Sequence, residues 1–199
     1  MDIEQYITET AKKDPTWINA RQITERRLML PGNLPNLIRQ GWLGMIGVNE
    51  FKKLLGFSNV NPACLLNAAG LPTDGRRPKA PYVDQAIQTL GMRYSSTVLA
   101  INTTVRNILK AKPPLGWRKL LESMMTDIEI GYNFGIRAGE IGAEGGVVAA
   151  FAKNAGLGIL LADNPSGYRK LVDLNARYGK VGSKLVVELF GCEPYQVSA

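Results

Sequence analysis

Apolar residues recur at helical spacing along most of the chain. Four of them between positions 82 and 90 are separated by three, one and three positions: Val83, Ala86, Ile87 and Leu90. This spacing predicts one face of an amphipathic helix that ends at Gly91. The β-branched run at 95–105 is compatible with a strand. Its length and the spacing of its apolar residues favour a helix over 93–111 instead.

A longer helix is predicted from Leu115 to about Ile141, after a break at two consecutive prolines. Its predicted buried stripe consists of Leu121, Met124, Met125, Ile128, Tyr132 and Ile136. Gly131, Gly135 and Gly139 recur every four residues and therefore share one face of the helix. Because glycine otherwise destabilises a helix, these positions without a side chain predict close packing against another helix.

Polar residues followed by proline mark predicted helix starts, because the polar residue caps the helix and proline fits its first turn. The pairs are Asp14-Pro15, Asn61-Pro62 and Asn164-Pro165, and they open predicted helices over 15–30, 62–69 and 165–178. Further helical segments are predicted at 34–45, 50–55 (capped by Asn49), 147–155, 156–162 and 183–190. The proline-rich segment 71–81 is the clearest exposed loop.

No segment has the pattern of a β-sheet, so we expect an all-α fold, specifically an irregular compact helical bundle. The chain has 199 residues and 45% hydrophobic residues, enough to bury a core. We expect a single domain over residues 1–199, with the helices of residues 1–30 as an N-terminal extension.

The absence of histidine limits the chemistry. It excludes Ser-His and Cys-His catalytic pairs and imidazole metal ligands. Cys64 and Cys192 are the only cysteines and form no CxxC motif, so we predict two reduced core thiols and no zinc site. With no apolar leader and no uncharged run of membrane-spanning length, the sequence favours a cytoplasmic protein that does not span a membrane.

Two other catalytic or binding patterns are weak. Gly156-Leu157-Gly158 lacks the third glycine and the preceding strand of a dinucleotide site, and no P-loop is present. Glu140 and Glu144 are four residues apart and are the only carboxylate pair that could share a helix face. Nearby glycines make a helix through Glu144 doubtful, and solvated surface carboxylates are the simpler interpretation. No cofactor is predicted.

The net charge of +7 favours acidic partners. Cationic pairs are spread along the chain, and the loop at Arg76, Arg77 and Lys79 is the candidate partner-binding segment, because exposed loops often carry function. A basic helical nucleic-acid-binding domain is the alternative function, although no recognised nucleic-acid module is present.

Three stretches have the pattern of a known family: NEFKKLLGFSNVNPACLLNAAG (49–70), VDQAIQTLGMRYSSTVLAI (83–101) and AFAKNAGLGILLADNPSGY (150–168), the last followed by VELFGCEPYQVSA. Together they resemble the HDOD family, the HD-related output domains of bacterial signalling proteins. The second stretch is the most specific, since Gln85, Ala86, Ile87, Leu90 and Gly91 match the family pattern in register. The resemblance spans residues 30–199.

The resemblance implies an HD-like helical architecture without a catalytic metal. Where metal-dependent HD phosphohydrolases place the His-Asp pair that holds the metal, this chain has Lys153 and Asn154, and neither replaces an imidazole with a neighbouring carboxylate. The chain ends before the closing helices usual in the family, so the resemblance implies either a truncated C-terminal end or a shortened member of the family.

The function that the resemblance implies is regulatory rather than enzymatic. By descent such a chain is related to metal-dependent phosphohydrolases, but without metal ligands we expect a non-catalytic domain of signal transduction. Its expected partner is a signalling protein or a small ligand, with nucleic acid as the second choice.

Overall fold

The computed structural model describes residues 9, 11–28, 34–56, 60–73, 80–111 and 116–198. Within these ranges the regular structure is helical and contains no strand, so the predicted all-α fold is confirmed. The helices are α1 (Pro15–Leu28), α2 (Leu34–Trp42), α3 (Val48–Leu55), α4 (Val60–Ala68), α5 (Ala80–Lys110), α6 (Gly116–Arg137), α7 (Gly142–Asp163), α8 (Pro165–Tyr178), α9 (Ser183–Phe190) and α10 (Pro194–Ser198).

The chain divides into two compact units. Unit 1 contains α1 together with α6 to α10, and unit 2, Leu30–Arg106, contains α2 to α4 and most of α5. The three stretches that carry the family resemblance are distributed over both units. The N-terminal helix therefore belongs to the same unit as the C-terminal half of the chain.

Polar contacts explain why α1 belongs to unit 1. The Asn19 amide donates to the carbonyl oxygen of Phe190 at 2.9 Å, and the Gln196 amide donates to Thr16 Oγ1 at 2.7 Å. Arg26 forms a two-pronged ion pair with Asp163, the last residue of α7. These contacts join α1 to α7, α9 and α10, so α1 is an integral part of the unit.

α7 is the central helix of unit 1. It packs against α1, α6, α8 and α10, and its residues Leu160 and Leu161 are completely buried. By length and composition α7 is also apolar enough to cross a membrane, which the sequence did not suggest because Glu144 and Lys153 interrupt it. More than half of its most apolar window is buried by the rest of the protein, a pattern also shown by core helices.

Glycine allows α6 and α7 to meet backbone to backbone. A methyl group on Gly131 would overlap the carbonyl oxygen of Gly146, and one on Gly135 would overlap that of Gly142. The predicted close packing is therefore confirmed at these two positions, whereas Gly139 has open space around it. The same contact explains why α7 continues through its glycine-rich first turns, where the sequence left a helix in doubt.

Unit 2 has its own hydrophobic core. α2 to α5 contribute a buried cluster of Leu34, Phe51, Leu55, Leu65, Leu66, Val83, Ala86, Ile87 and Leu99. The predicted stripe of α5 is thus confirmed at Val83, Ala86 and Ile87. Gly91 interrupts α5 with φ +75°, a left-handed conformation that glycine adopts without strain, as the predicted boundary required.

Two of the three predicted proline-linked caps are confirmed. Asp14 Oδ1 accepts a hydrogen bond from the Thr16 N–H at 2.8 Å, and Asn164 Oδ1 accepts one from Gly167 at 2.9 Å. The prediction at Asn61 is wrong, because α4 already begins at Val60 and buries Asn61 inside its first turn.

The predicted cap at Asn49 is also wrong. α3 begins at Val48, one residue before the predicted cap, and the N–H of Gly47 donates to Glu50 Oε2 at 3.2 Å. A glutamate in the first turn therefore satisfies the backbone at this helix start, as in a capping box.

Candidate functional site

Lys153 and Asn154, which the sequence resemblance aligns with a metal-holding pair, both contact one carboxylate. They are adjacent on α7, and the carboxylate belongs to Asp127 on α6. Lys153 Nζ lies 3.1 and 3.2 Å from the two Asp127 oxygens, and Asn154 Nδ2 donates to Asp127 Oδ2 at 2.6 Å. Asn154 is buried and Lys153 is exposed, so the cluster joins the interior of the unit to its surface.

This arrangement stabilises the ionised form of Asp127. The hydrogen bond from Asn154 is the largest cause that holds the pKa of Asp127 below its usual value, and the Lys153 ammonium lowers it further. The cluster therefore contains one carboxylate whose charge is already balanced by a lysine.

The donor set of the cluster does not fit a catalytic divalent metal. Such sites use several carboxylate or imidazole ligands, whereas here a single carboxylate faces an ammonium group. In the described part of the chain no three His, Cys, Asp or Glu side chains converge on one point. The cluster links α6 to α7 by an ion pair and hydrogen bonds.

The Asp127 cluster leads to a prediction about pH. Asp127→Asn is expected to destabilise the protein at pH 7, because it removes a carboxylate whose pKa is lower in the folded state than in the unfolded one. The full difference in stability between wild type and variant is expected above pH ~4, the usual aspartate pKa. The difference is expected to shrink as the pH falls through the lowered pKa of Asp127 in the folded protein.

Urea unfolding of wild type and Asp127→Asn at several pH values between 7 and 2.5 measures this difference. Asp173→Asn, at an exposed position of α8, is the matched control and should change stability by less than about 0.5 kcal/mol. A wild-type advantage that grows towards acid would contradict the prediction.

The remaining sequence candidates are the loop cations and one pair of glutamates. Arg76, Arg77 and Lys79 lie outside the described residues. Glu140 lies in the turn before α7 and Glu144 in the first turn of α7, so the two glutamates do not share one continuous helix.

Both cysteines are free thiols. Burial raises the pKa of the half-buried Cys64 and raises that of the fully buried Cys192 to about 11. Because the thiolate is the reactive form, a raised pKa makes a cysteine a poor nucleophile.

The structure reveals an exposed apolar surface that sequence reasoning placed in the core. Met125, Tyr132 and Ile136 are 59%, 40% and 56% exposed, so the prediction that they are buried is wrong, whereas Met124 is buried as predicted. They continue a helical row that also includes the partly buried Leu121 and Ile128. We call the row Leu121, Met125, Ile128, Tyr132 and Ile136 the α6 stripe.

The glycine contacts account for the exposure of the α6 stripe. α6 is oriented by Gly131 and Gly135 against α7, and it buries Trp117, Leu120 and Met124 on that side. The α6 stripe is rotated away from this face. Ile130 and Phe134 are also exposed, on the other side of the helix, so α6 carries apolar residues around most of its circumference.

The α6 stripe has an acidic flank. Glu122 and Glu129 are seven residues apart, on the same side of α6 and next to the stripe. Over α6 as a whole three carboxylates and three cations balance, and the exposed Arg118 lies one turn before Glu122, so the acidic character is confined to Glu122 and Glu129. Within the described residues neither Glu122 nor Glu129 forms an ion pair. One sequence signal could have located this surface: the packing face marked by the glycines of α6.

Comparisons with protein-family models, with curated proteins and with solved structures found no match for this chain.

Proposed function

We propose that this chain is a non-catalytic regulatory domain of signal transduction that binds a protein partner on the α6 stripe. The observation that carries the proposal is the exposure of Met125, Tyr132 and Ile136 in one helical row. Exposed apolar surface is costly in water, and clustered exposure is typical of interaction sites. A partner that covers the row removes this cost.

Two further observations support a role in recognition rather than catalysis. The resemblance aligns Lys153 with the metal-holding pair of HD enzymes, and Lys153 pairs with Asp127, so the local chemistry opposes a divalent cation. The HDOD-like architecture belongs to the same proposal and rests on the sequence resemblance of residues 30–199.

Site-specific photo-crosslinking tests the proposal. A photoreactive phenylalanine analogue replaces Tyr132, and in a control protein it replaces Tyr178, which is 76% exposed and lies on α8. We expect a discrete protein adduct in cell extract from position 132 and none from position 178. The adduct should be lost when Met125→Ser and Ile136→Ser are added.

Loss of the adduct in the double serine variant should reflect weakened binding rather than misfolding, because both wild-type side chains are already more than half exposed. Truncation of apolar residues at the centre of an interface typically weakens binding by about 30-fold or more. An adduct that persists in the serine variant, or equal adducts from positions 132 and 178, would refute the proposal.

A further inference from the structure

We infer that the partner presents to the α6 stripe an amphipathic helix whose apolar row is flanked by lysines or arginines. This inference rests on the proposed function and specifies the chemistry of the partner. Two features of the stripe carry it: its helical spacing and its acidic flank.

The spacing of the stripe indicates a helical partner. Its five apolar residues extend from Leu121 to Ile136, a length of about 22 Å at 1.5 Å per residue. A single partner helix of about 15 residues has the same length. Apolar residues at three- and four-residue spacing on such a helix would pack into a matching row, as helix-in-groove recognition does.

The charge of the flank indicates a basic partner. Glu122 and Glu129 border the stripe on one side, and Glu140 follows in the turn after α6. These three carboxylates have no ionic partner among the described residues, so they are available to cations of a partner. Complementary charge across an interface mainly accelerates association and selects the correct partner.

The carboxylates beside the α6 stripe disfavour other binding partners at this surface. A second copy docked on the stripe would bring two acidic surfaces together, and like charges across an interface are repulsive. Nucleic acid and anionic lipid would be repelled for the same reason.

Two synthetic helical peptides test the inference with the full-length protein. Both have 18 residues and the same leucine row, but one has lysine flanks and the other has glutamate flanks. Fluorescence anisotropy measures each dissociation constant at ~0.05 M salt and again at ~1 M salt, where screening removes most of the electrostatic contribution. Glu122→Lys/Glu129→Lys reverses the acidic flank, and Glu188→Lys, an exposed glutamate on α9, is the matched control.

We expect the lysine-flanked peptide to bind at least tenfold more tightly at low salt, and this preference to decrease at high salt. Glu122→Lys/Glu129→Lys should reverse the preference, whereas Glu188→Lys should preserve it. Equal affinities, or a preference for the glutamate peptide, would overturn the inference. Absence of binding by both peptides at 1 mM, or a stripe-dependent dimer in sedimentation, would also overturn it.

The outcomes separate this inference from the proposed function. If the wild type binds both peptides equally and Met125→Ser/Ile136→Ser abolishes both interactions, the stripe binds helices without charge selection, and only the basic character of the partner is refuted. If the photo-crosslink at position 132 is also absent, the proposed function fails.

Discussion

Replacement of Gly146 by alanine is expected to destabilise the protein by about 1 to 3 kcal/mol, because the added methyl group overlaps the carbonyl oxygen of Gly131. Helix propensity alone predicts the opposite sign, a gain of about 0.5 to 1 kcal/mol for Gly→Ala in a helix interior. The sign of the change therefore decides whether backbone contact between α6 and α7 controls stability. Unfolding in urea, followed by tryptophan fluorescence, provides the measurement.

Gly139→Ala is the matched control for this prediction. Gly139 continues the four-residue series of Gly131 and Gly135, but a methyl group there meets no atom within 4 Å. The control should alter stability by less than about 1 kcal/mol. If Gly146→Ala were neutral or stabilising, the close contact between the two helices would be disproved.

Gly156→Val is expected to detach α10 from α7. The glycine N–H donates to Ser198 Oγ at 2.8 Å, and a Cβ atom at this position would overlap the carbonyl oxygen of Pro194. Because both contacts are with α10, the larger side chain should displace that helix and expose the neighbouring Cys192.

Site-resolved thiol labelling at pH 8, read by mass spectrometry, measures this exposure. With a pKa of about 11, Cys192 is ionised to only ~0.1% at pH 8 in the folded protein. An exposed thiol with pKa ~8.5 is ionised to about one quarter, so the labelling rate should rise by about 100-fold or more.

Cys64 serves as the internal reference, since it lies in unit 2 and local detachment of α10 should not change its labelling rate. Gly182→Val is the control substitution, because Gly182 has open space around it. Unchanged labelling of Cys192 in Gly156→Val, or an equal increase at both cysteines, would contradict local detachment.

Local signals predicted much of the fold. The caps at Asp14 and Asn164, the break at Gly91 and the buried stripe of α5 each depend on a few neighbouring residues, and the structure confirms them. Asn61 shows the limit of such signals: an Asn-Pro pair favours a cap, but here burial of Asn61 inside α4 prevails.

The face that α6 buries could not be chosen from periodicity alone. Apolar residues stand on several sides of the helix, so that Met124 is buried and Met125 is exposed although they are neighbours. Contact with α7 selects among these sides, and only the glycine spacing indicated which side that would be.

The Asp127 cluster was not predictable from the family-like positions on α7. Asp127 lies 26 residues before Lys153 and reaches it only through the antiparallel register of α6 and α7. That register follows from the contact of Gly131 with Gly146, because Asp127 is one turn from Gly131. The glycine face thus explains both the exposed stripe and the polar cluster.

The attachment of α1 to the C-terminal helices has a consequence for synthesis on the ribosome. Thr16 and Gln196 are 180 residues apart, whereas every residue of the unit 2 core lies between positions 34 and 99. Unit 2 can therefore fold while translation continues, as contiguous domains generally do. Helix α1, although made before unit 2, must wait until Gln196 has been synthesised before it gains all of these contacts, and during that interval it is accessible to chaperones and proteases.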